Sequence, residues 1–458
     1  MNEFRIFKRE KWFLWAIFFC ALLIRLFYFH VFLQENPCML AFDSGHYHEL
    51  ATQVVDGQGF TKLDGAPQFY RLPGYSIFLA ACYKIFDFNV LATLLVQILL
   101  ASLIPILIFC LALQLFPDDI RAAKIAAVIG CLHHGLVIFS GLVMTETLFM
   151  LFFLLFLLLF FKVPVRFLTM LSAGILLGCA SLIRSVGLPL LFVSLLVILF
   201  FKISWRQKRV AMIALSIGWL LVIGLWLARN YMLTGAIFLD TLSGAHLLNH
   251  QAIPVMMKAE NITHTQAKKR VYALFDEQKR EQEAYLQRPL RDIEASHVAG
   301  SVTIHICKRY MFSTVVLKHN FFNIFKTCFS LYAAELLVID SGGKLPEYDN
   351  NRSLGMMIKR FLVPETRNGW IRVMIYGELA MMLFLLIGFF GYIVVEQKDL
   401  LWRICYQILP FIILFIGLSF ACGFARLRLP PSPFFIIVAS RFWSLVMERK
   451  KVMCERSK

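Results

Sequence analysis

The chain repeatedly stays apolar for longer than a soluble fold can use. Residues 14–33, 91–116, 148–161, 188–201, 210–227, 373–395 and 404–420 each carry few or no charges. Crossing the hydrocarbon of a bilayer takes about 20 apolar residues, slightly fewer where the bilayer thins. Of 458 residues, 59% are hydrophobic and 16% charged, whereas soluble domains are about a quarter charged. The expected fold is an all-α polytopic membrane protein with about ten transmembrane helices. They are placed near 12–33, 88–115, 124–140, 146–162, 168–183, 187–201, 210–228, 371–395, 404–422 and 431–447. The first run is too long for the apolar region of a signal peptide, and no A-x-A cleavage site follows, so it reads as a permanent span. Most of the eleven cysteines sit inside apolar runs, where a thiol packs as a small hydrophobe. Cys38, Cys307 and Cys328 fall outside the runs, and pairing is open to them.

The net charge is +17, and in a membrane protein its location sets topology. Lys and Arg in short loops stay cytoplasmic. Basic clusters recur at every second connection: Arg5 to Lys11, Arg121 with Lys124, Lys162 with Arg166, 202–209, Lys398 with Arg403, and 449–458. Both termini are then cytoplasmic and the number of spans is even. Three parts follow. Residues 1–228 form an N-terminal transmembrane module carrying a first outer loop, 34–87. Residues 229–370 form an extracytoplasmic segment, with a polar helix over 265–286 and an interfacial helix over 311–337. Residues 371–458 hold the C-terminal transmembrane helices. The short amphipathic stretch 74–86 is expected on the outer membrane surface. Asn261 and Asn351 fit the glycosylation pattern.

The residues left outside have chemistry in common. Asp43 lies about ten residues past the first span, and Arg71 stands just before Pro73-Gly74-Tyr75. Glu146 opens the fourth span, Arg184 occupies a very short outer turn, and Arg229 with Asn230 closes the seventh span. Arg426 and Arg428 fill another short outer turn. Arginine in outer turns runs against the positive-inside bias. Phosphate accounts for it, because a planar guanidinium binds phosphate oxygens in pairs. Two carboxylates among several arginines at headgroup depth suggest an anionic lipid headgroup being processed. Plainer roles compete: an arginine at a span end anchors at the interface, an acid in a first turn caps its helix, Arg441 and Lys162 snorkel, and His133-His134 make a polar helix contact. No basic soluble domain accompanies the arginines, so nucleic acid is not a partner.

The first outer loop reads Phe42-Asp-Ser-Gly-His-Tyr-His-Glu-Leu-Ala, then Asp56-Gly-Gln-Gly-Phe, then Arg71-Leu-Pro-Gly-Tyr-Ser-Ile-Phe-Leu-Ala. This resembles the bacterial polyprenyl-phosphate-dependent glycosyltransferases of the GT-C superfamily, whose relatives include protein O-mannosyltransferases and aminoarabinose transferases acting on lipid A. There the loop carries D-x-x-x-Y-x-x-L-A, G-x-G-F and R-P-P-G-Y-P-x-F-L-A. Further similar segments follow in order: Thr145-Glu-Thr-Leu-Phe, Leu182-Ile-Arg-Ser-Val-Gly-Leu, Leu227-Ala-Arg-Asn-Tyr-Met-Leu-Thr-Gly, and Arg426-Leu-Arg-Leu-Pro-Pro-Ser-Pro-Phe. Departures are Ser44, where many members carry a second acid, Ser76 for a usual proline, and Leu72 and Ser185 for two others. The missing acid weakens the case for a metal.

The resemblance implies transfer of a sugar, with inversion, from a polyprenyl-phosphate donor to an acceptor hydroxyl. It implies Asp43 as base, with Tyr47 one helical turn away to orient it. Arginine or a divalent cation would stabilise the leaving phosphate; Glu146 would orient an arginine, hold that metal or touch the sugar. The substrate-binding set is Tyr47, Arg71, Tyr75, Arg184, Arg229, Asn230, Arg426 and Arg428. The implied partners are the lipid-linked sugar, membrane lipids, and a lipid, glycan or protein acceptor. The setting is a bacterial inner membrane with the site facing the periplasm. The competing class is a transporter or flippase of an anionic lipid-linked saccharide, which would show internal repeats and broken spans near mid-membrane. No clear repeat is present.

Overall fold

The computed structural model describes residues 3–32, 43–310, 314–333, 369–396, 398–418 and 425–456. Cys38 and Asn351 lie outside them. The described residues form helices and no strand, apart from one isolated bridge between Thr61 and Pro67. Cys307 and Cys328 are free thiols.

The described part of each expected apolar span falls largely on helix; residues 419–422 of the span near 404–422 lie outside the described residues. Helix α1 covers Glu3–Phe32. After the first outer loop, with α2 (Ser44–Val55) and α3 (Pro73–Phe86), come α4 (Val90–Ala101) and α5 (Ile104–Leu115). Next are α6 (Ile120–Leu132), α7 (His134–Ile138), α8 (Glu146–Phe160), α9 (Phe167–Ile183), α10 (Gly187–Leu199) and α11 (Trp205–Thr234). The segment after α11 holds α12 (Leu242–Leu247), α13 (Ile253–Ala259), α14 (His264–Leu286), α15 (Asp292–Arg309) and α16 (Thr314–Phe329). The C-terminal part has α17 (Gly369–Val395), α18 (Lys398–Leu418), a 3-10 turn at Ala425–Arg428, and α19 (Ser432–Arg456). Among the described residues, five helical stretches, α4 with α5 being one of them, are long and apolar enough to cross a membrane, six if the bent pair over 120–141 is one span. With the shorter apolar helices packed among them, the chain is an integral, multi-pass membrane protein.

The bend in that pair is 54° and has a local cause. His133 ends α6 in extended backbone, and its Nδ1 accepts the Leu136 N–H at 3.4 Å to start α7. Helices α9 and α11 run in close contact because glycine removes the side chain between them. A Cβ on Gly218 would stand 2.1 Å from the Leu171 carbonyl oxygen, and one on Gly174 2.2 Å from that of Leu215. Small residues permit this approach where lipid supplies no hydrophobic drive between helices.

Helices α13–α15 build a second core of their own. Val255, Met256, Val271, Val298, Val302 and Ile306 are buried together. The expected polar helix is α14, started by a capping box at Thr263 and Gln266.

At the opposite end of the bundle, the snorkelling role expected for Arg441 is corrected. Its guanidinium donates to Asp119 (2.7 Å) and Glu396 (2.9 Å), and Ser444 donates to Asp119 at 2.8 Å. The arginine is held inside by two carboxylates. It ties the start of α6 to the end of α17 and to α19.

Gly218→Val should lower the unfolding temperature in detergent, costing about 1–3 kcal/mol through overpacking. Gly300→Ala, in α15 with open space around it, should raise stability by roughly 0.5–1 kcal/mol. Equal melting curves for Gly218→Val and wild type would refute the close helix contact.

Candidate active site

Asp43 precedes α2 where an aspartate ordinarily caps a helix, yet its side chain makes no capping bond. It turns instead to two arginines. Arg71 Nη2 donates to Oδ1 at 2.7 Å and Arg426 Nη1 to Oδ2 at 3.2 Å. Arg71 is buried, and its guanidinium lies over the rings of Tyr47 (5.2 Å) and Tyr70 (5.1 Å). Tyr47 is one turn beyond Asp43, so both face the same way.

These groups line a cleft of 460 Å³ with Arg184, Thr145 and the loop that follows α11. Arg184 donates to Thr145 Oγ1 at 3.0 Å and also to Glu146. Glu146 is 2% exposed, so it holds the arginine from behind rather than facing the cleft. Asp43, Tyr47, Arg71, Arg184 and Arg426 therefore meet in one space, with Glu146 in support.

Four predicted residues are placed elsewhere. Tyr75 is fully buried; its hydroxyl donates to Gln97 at 2.8 Å and its ring packs on Tyr47. Arg229 donates to the carbonyls of Phe60 (2.9 Å) and Gln68 (3.3 Å) and stacks on Trp226 at 4.5 Å. Asn230 donates to the Phe238 carbonyl at 2.8 Å. This pair ties the end of α11 to the loop between α2 and α3 and to the stretch after Gly235, so it shapes the cleft without lining it. Arg428 points away from Arg426. It donates to the carbonyls of Cys328 (2.5 Å) and Ser330 (3.0 Å) and to Glu378 (3.3 Å). Glu378 also accepts the backbone N–H groups of Tyr332 (2.8 Å) and Ala333 (2.9 Å).

The cleft also contains Tyr70, Asp240 and His246, which sequence reasoning missed. Asp240 and His246 lie in a polar segment with no spacing signal to mark them. Burial opposes ionisation of Asp43, but Arg71 and Arg426 together outweigh it and hold its carboxyl below the usual carboxylate range. Burial raises Asp240 instead, partly offset by backbone N–H groups. Burial, then His250 and the arginines, pushes His246 down to about 4, so it is neutral at neutral pH. Among the described residues, both Asp43 oxygens and Glu146 are engaged by guanidinium groups, so a divalent ion bound there would have to displace an arginine.

No protein-family model and no curated protein sequence matches the chain. Solved structures do match it. The archaeal oligosaccharyltransferase AglB from Archaeoglobus fulgidus, in complex with an inhibitory peptide and a dolichol-phosphate, is similar over 98% of this chain and 52% of its own, with TM-score 0.54 and 12% identity. The apo form of the A. fulgidus enzyme gives TM-score 0.51 at 11% identity over 98% of this chain and 52% of its own. ArnT from Cupriavidus metallidurans, bound to undecaprenyl phosphate, gives 0.42 at 11% identity over 94% of this chain and 77% of its own. The chain spans about half the length of the oligosaccharyltransferase. The chain shares the fold of the membrane part of the archaeal oligosaccharyltransferase that it covers.

Arg229→Ala removes both carbonyl contacts to the first outer loop. It should cost about 1–3 kcal/mol and speed proteolytic cleavage between residues 58 and 68. An unchanged cleavage rate would mean that the loop holds its shape without this arginine.

Proposed function

We propose that the protein transfers a sugar from a polyprenyl-phosphate-linked donor to an acceptor hydroxyl at the outer membrane face, with inversion. The observation that carries the reading is the shared grip on Asp43: Arg71 and Arg426, from opposite ends of the chain, hold one carboxylate in one cleft. The GT-C fold supports it, and AglB, which has that fold, is described with a dolichol-phosphate.

In this reading the donor phosphate enters beside Arg71, Arg184 and Arg426. A phosphate competes for the guanidinium groups that neutralise Asp43, which frees the carboxylate to act as base. Asp43 takes the acceptor proton as the acceptor oxygen attacks the anomeric carbon. The bond from that carbon to the phosphate oxygen breaks, and its electron pair leaves with the phosphate, whose charge the arginines stabilise. Arginine, rather than a divalent ion, carries that charge. The sugar and the acceptor class, whether lipid, glycan or protein, are set by the outer segments around Asp240 and His246. In this reading the cleft faces the periplasmic side of a bacterial inner membrane, which the order of basic loops along the chain supports.

Incubating purified protein with labelled polyprenyl-phosphate sugar is the direct test. Released polyprenyl phosphate marks transfer, and movement of intact donor across the bilayer marks a flippase. Asp43→Asn should express and fold yet lose transfer by about 10²–10⁴-fold; full activity removes Asp43 from the mechanism. Arg426→Ala should raise the donor KM by roughly tenfold or more and change acceptor KM little; equal effects on both argue against phosphate contact. Transfer should persist in a chelator, and its loss there would assign the leaving-group charge to a metal. Because Arg71 and Arg426 keep Asp43 ionised below the usual carboxylate range in the free enzyme, kcat/KM should hold as pH falls through about 4 to 5 and fail only at lower pH. An acidic limb near neutrality would point to another base.

A further inference from the structure

The lining of the Asp43 cleft divides by chemistry. Pro189 of α10 and Phe415 of α18 give it an apolar part, against which a lipid tail can lie. Tyr70 and the segment carrying Asp240, Ser243 and His246 give it a polar part. The arginines answer a phosphate, so the polar part is left for whatever the phosphate carries.

That part is held in place by its own contacts. Asp240 accepts the Leu242 N–H at 3.1 Å, the turn an aspartate makes with the backbone two residues on. Helix α12 follows and packs against α15. Gly244 donates its N–H to Ser296 Oγ at 3.2 Å, and a Cβ on Gly244 would stand 2.4 Å from the Ser296 carbonyl oxygen. His246 comes next on this helix. Its ring meets the His250 ring edge-on, with 5.2 Å between centroids.

His246 has bonding capacity to spare. The residue is partly exposed. Among the described residues neither ring nitrogen makes a hydrogen bond, and neither is closed off from solvent. The ring is neutral at neutral pH, so one nitrogen donates and the other accepts. A hydroxyl group also does both, and matches that pair. Phosphate oxygens call for donors alone, which the guanidinium groups supply. The charges of Arg71, Arg426 and Asp43 all reach the ring, so His246 stands close to the groups that would hold the phosphate.

We propose that His246 binds a hydroxyl group of the donor sugar and sets which lipid-linked sugars the cleft accepts. This rests on the reading that a lipid-linked sugar occupies the cleft. The donor then lies with its tail along Pro189 and Phe415, its phosphate among the arginines and its sugar against α12. A site built to hydrogen-bond a hydroxyl rejects an analogue that lacks it, because the site's own polar groups are left unpaired.

The test measures binding apart from turnover. The full chain in detergent is titrated with undecaprenyl phosphate alone, and with undecaprenyl phosphate carrying glucose, mannose or galactose. At least one sugar-bearing lipid should bind wild type roughly tenfold more tightly than the bare phosphate. His246→Phe keeps a ring against His250 and removes both nitrogens. It should abolish that gain and leave affinity for bare undecaprenyl phosphate within about twofold of wild type. One deoxy analogue of the preferred sugar should bind wild type as weakly as the intact sugar binds the variant, and the variant should not distinguish the two. Equal binding of bare and sugar-bearing lipids by wild type overturns the proposal, and so does a gain that survives in His246→Phe. If that variant fails to fold, His246→Ala decides by the same comparison. A gain that depends on His246, in a protein that releases no undecaprenyl phosphate in the transfer assay, upholds the sugar site and removes the transfer reading.

Discussion

One carboxylate held by two guanidinium groups organises one end of this molecule. Asp43 belongs to the first outer loop, Arg71 to the approach to α3, and Arg426 to a turn near the C-terminus. Their meeting joins the N-terminal and C-terminal helices across a cleft. Charge-assisted hydrogen bonds are the strong ones, and the aspartate side chain is only 31% exposed, so water screens the pair incompletely. Losing the carboxylate leaves two cations facing each other. Breaking a buried pair from one side costs about 3–5 kcal/mol, and the partial exposure of Asp43 places this site toward the lower end. In the function proposed above, the contact that closes the structure would also set the chemistry, because a phosphate would compete for the same nitrogens.

The two arginines of the 425–428 turn illustrate how local geometry divides labour. A 3-10 helix has three residues per turn, so side chains two positions apart point to different sides. Arg426 therefore reaches Asp43 while Arg428 enters the protein, where its guanidinium lies over the Tyr332 ring at 4.7 Å and pairs with Glu378. Arg428 thereby fixes the turn that presents Arg426. Arg229 does similar work from α11, holding the loop that carries Arg71.

The far end of the bundle uses another scheme. There Arg441 answers two carboxylates, Asp119 and Glu396, while Glu10 pairs with Lys124 at 2.7 Å. These pairs join helices instead of lining a cleft. The two ends contain similar residue types, and what separates their roles is whether the charged groups converge on open space.

Much of the helical layout was legible in the sequence, because a span must satisfy its own backbone hydrogen bonds and present apolar residues to lipid. That requirement acts locally, so hydropathy reveals it without knowledge of neighbours. It also hides exceptions: Glu378 inside an apolar run, and Arg25, fully buried in α1 with its Nη1 donating to the Ala21 carbonyl at 3.0 Å, disappear into the average. The grouping of Asp43 with arginines was readable in outline from loop position and resemblance. Which arginines face the cleft was not. Arg229 and Arg428 look like Arg184 and Arg426 in sequence, and only packing turns the first two toward carbonyls and a buried acid. Asp240 and His246 had no signal at all, since the return of the chain after α11 brings them to the cleft. Composition and charge order determined a helical membrane protein with its chemistry gathered at one end. Tertiary structure alone decided which side chains share the cleft, because a guanidinium's direction depends on acceptors contributed by distant segments.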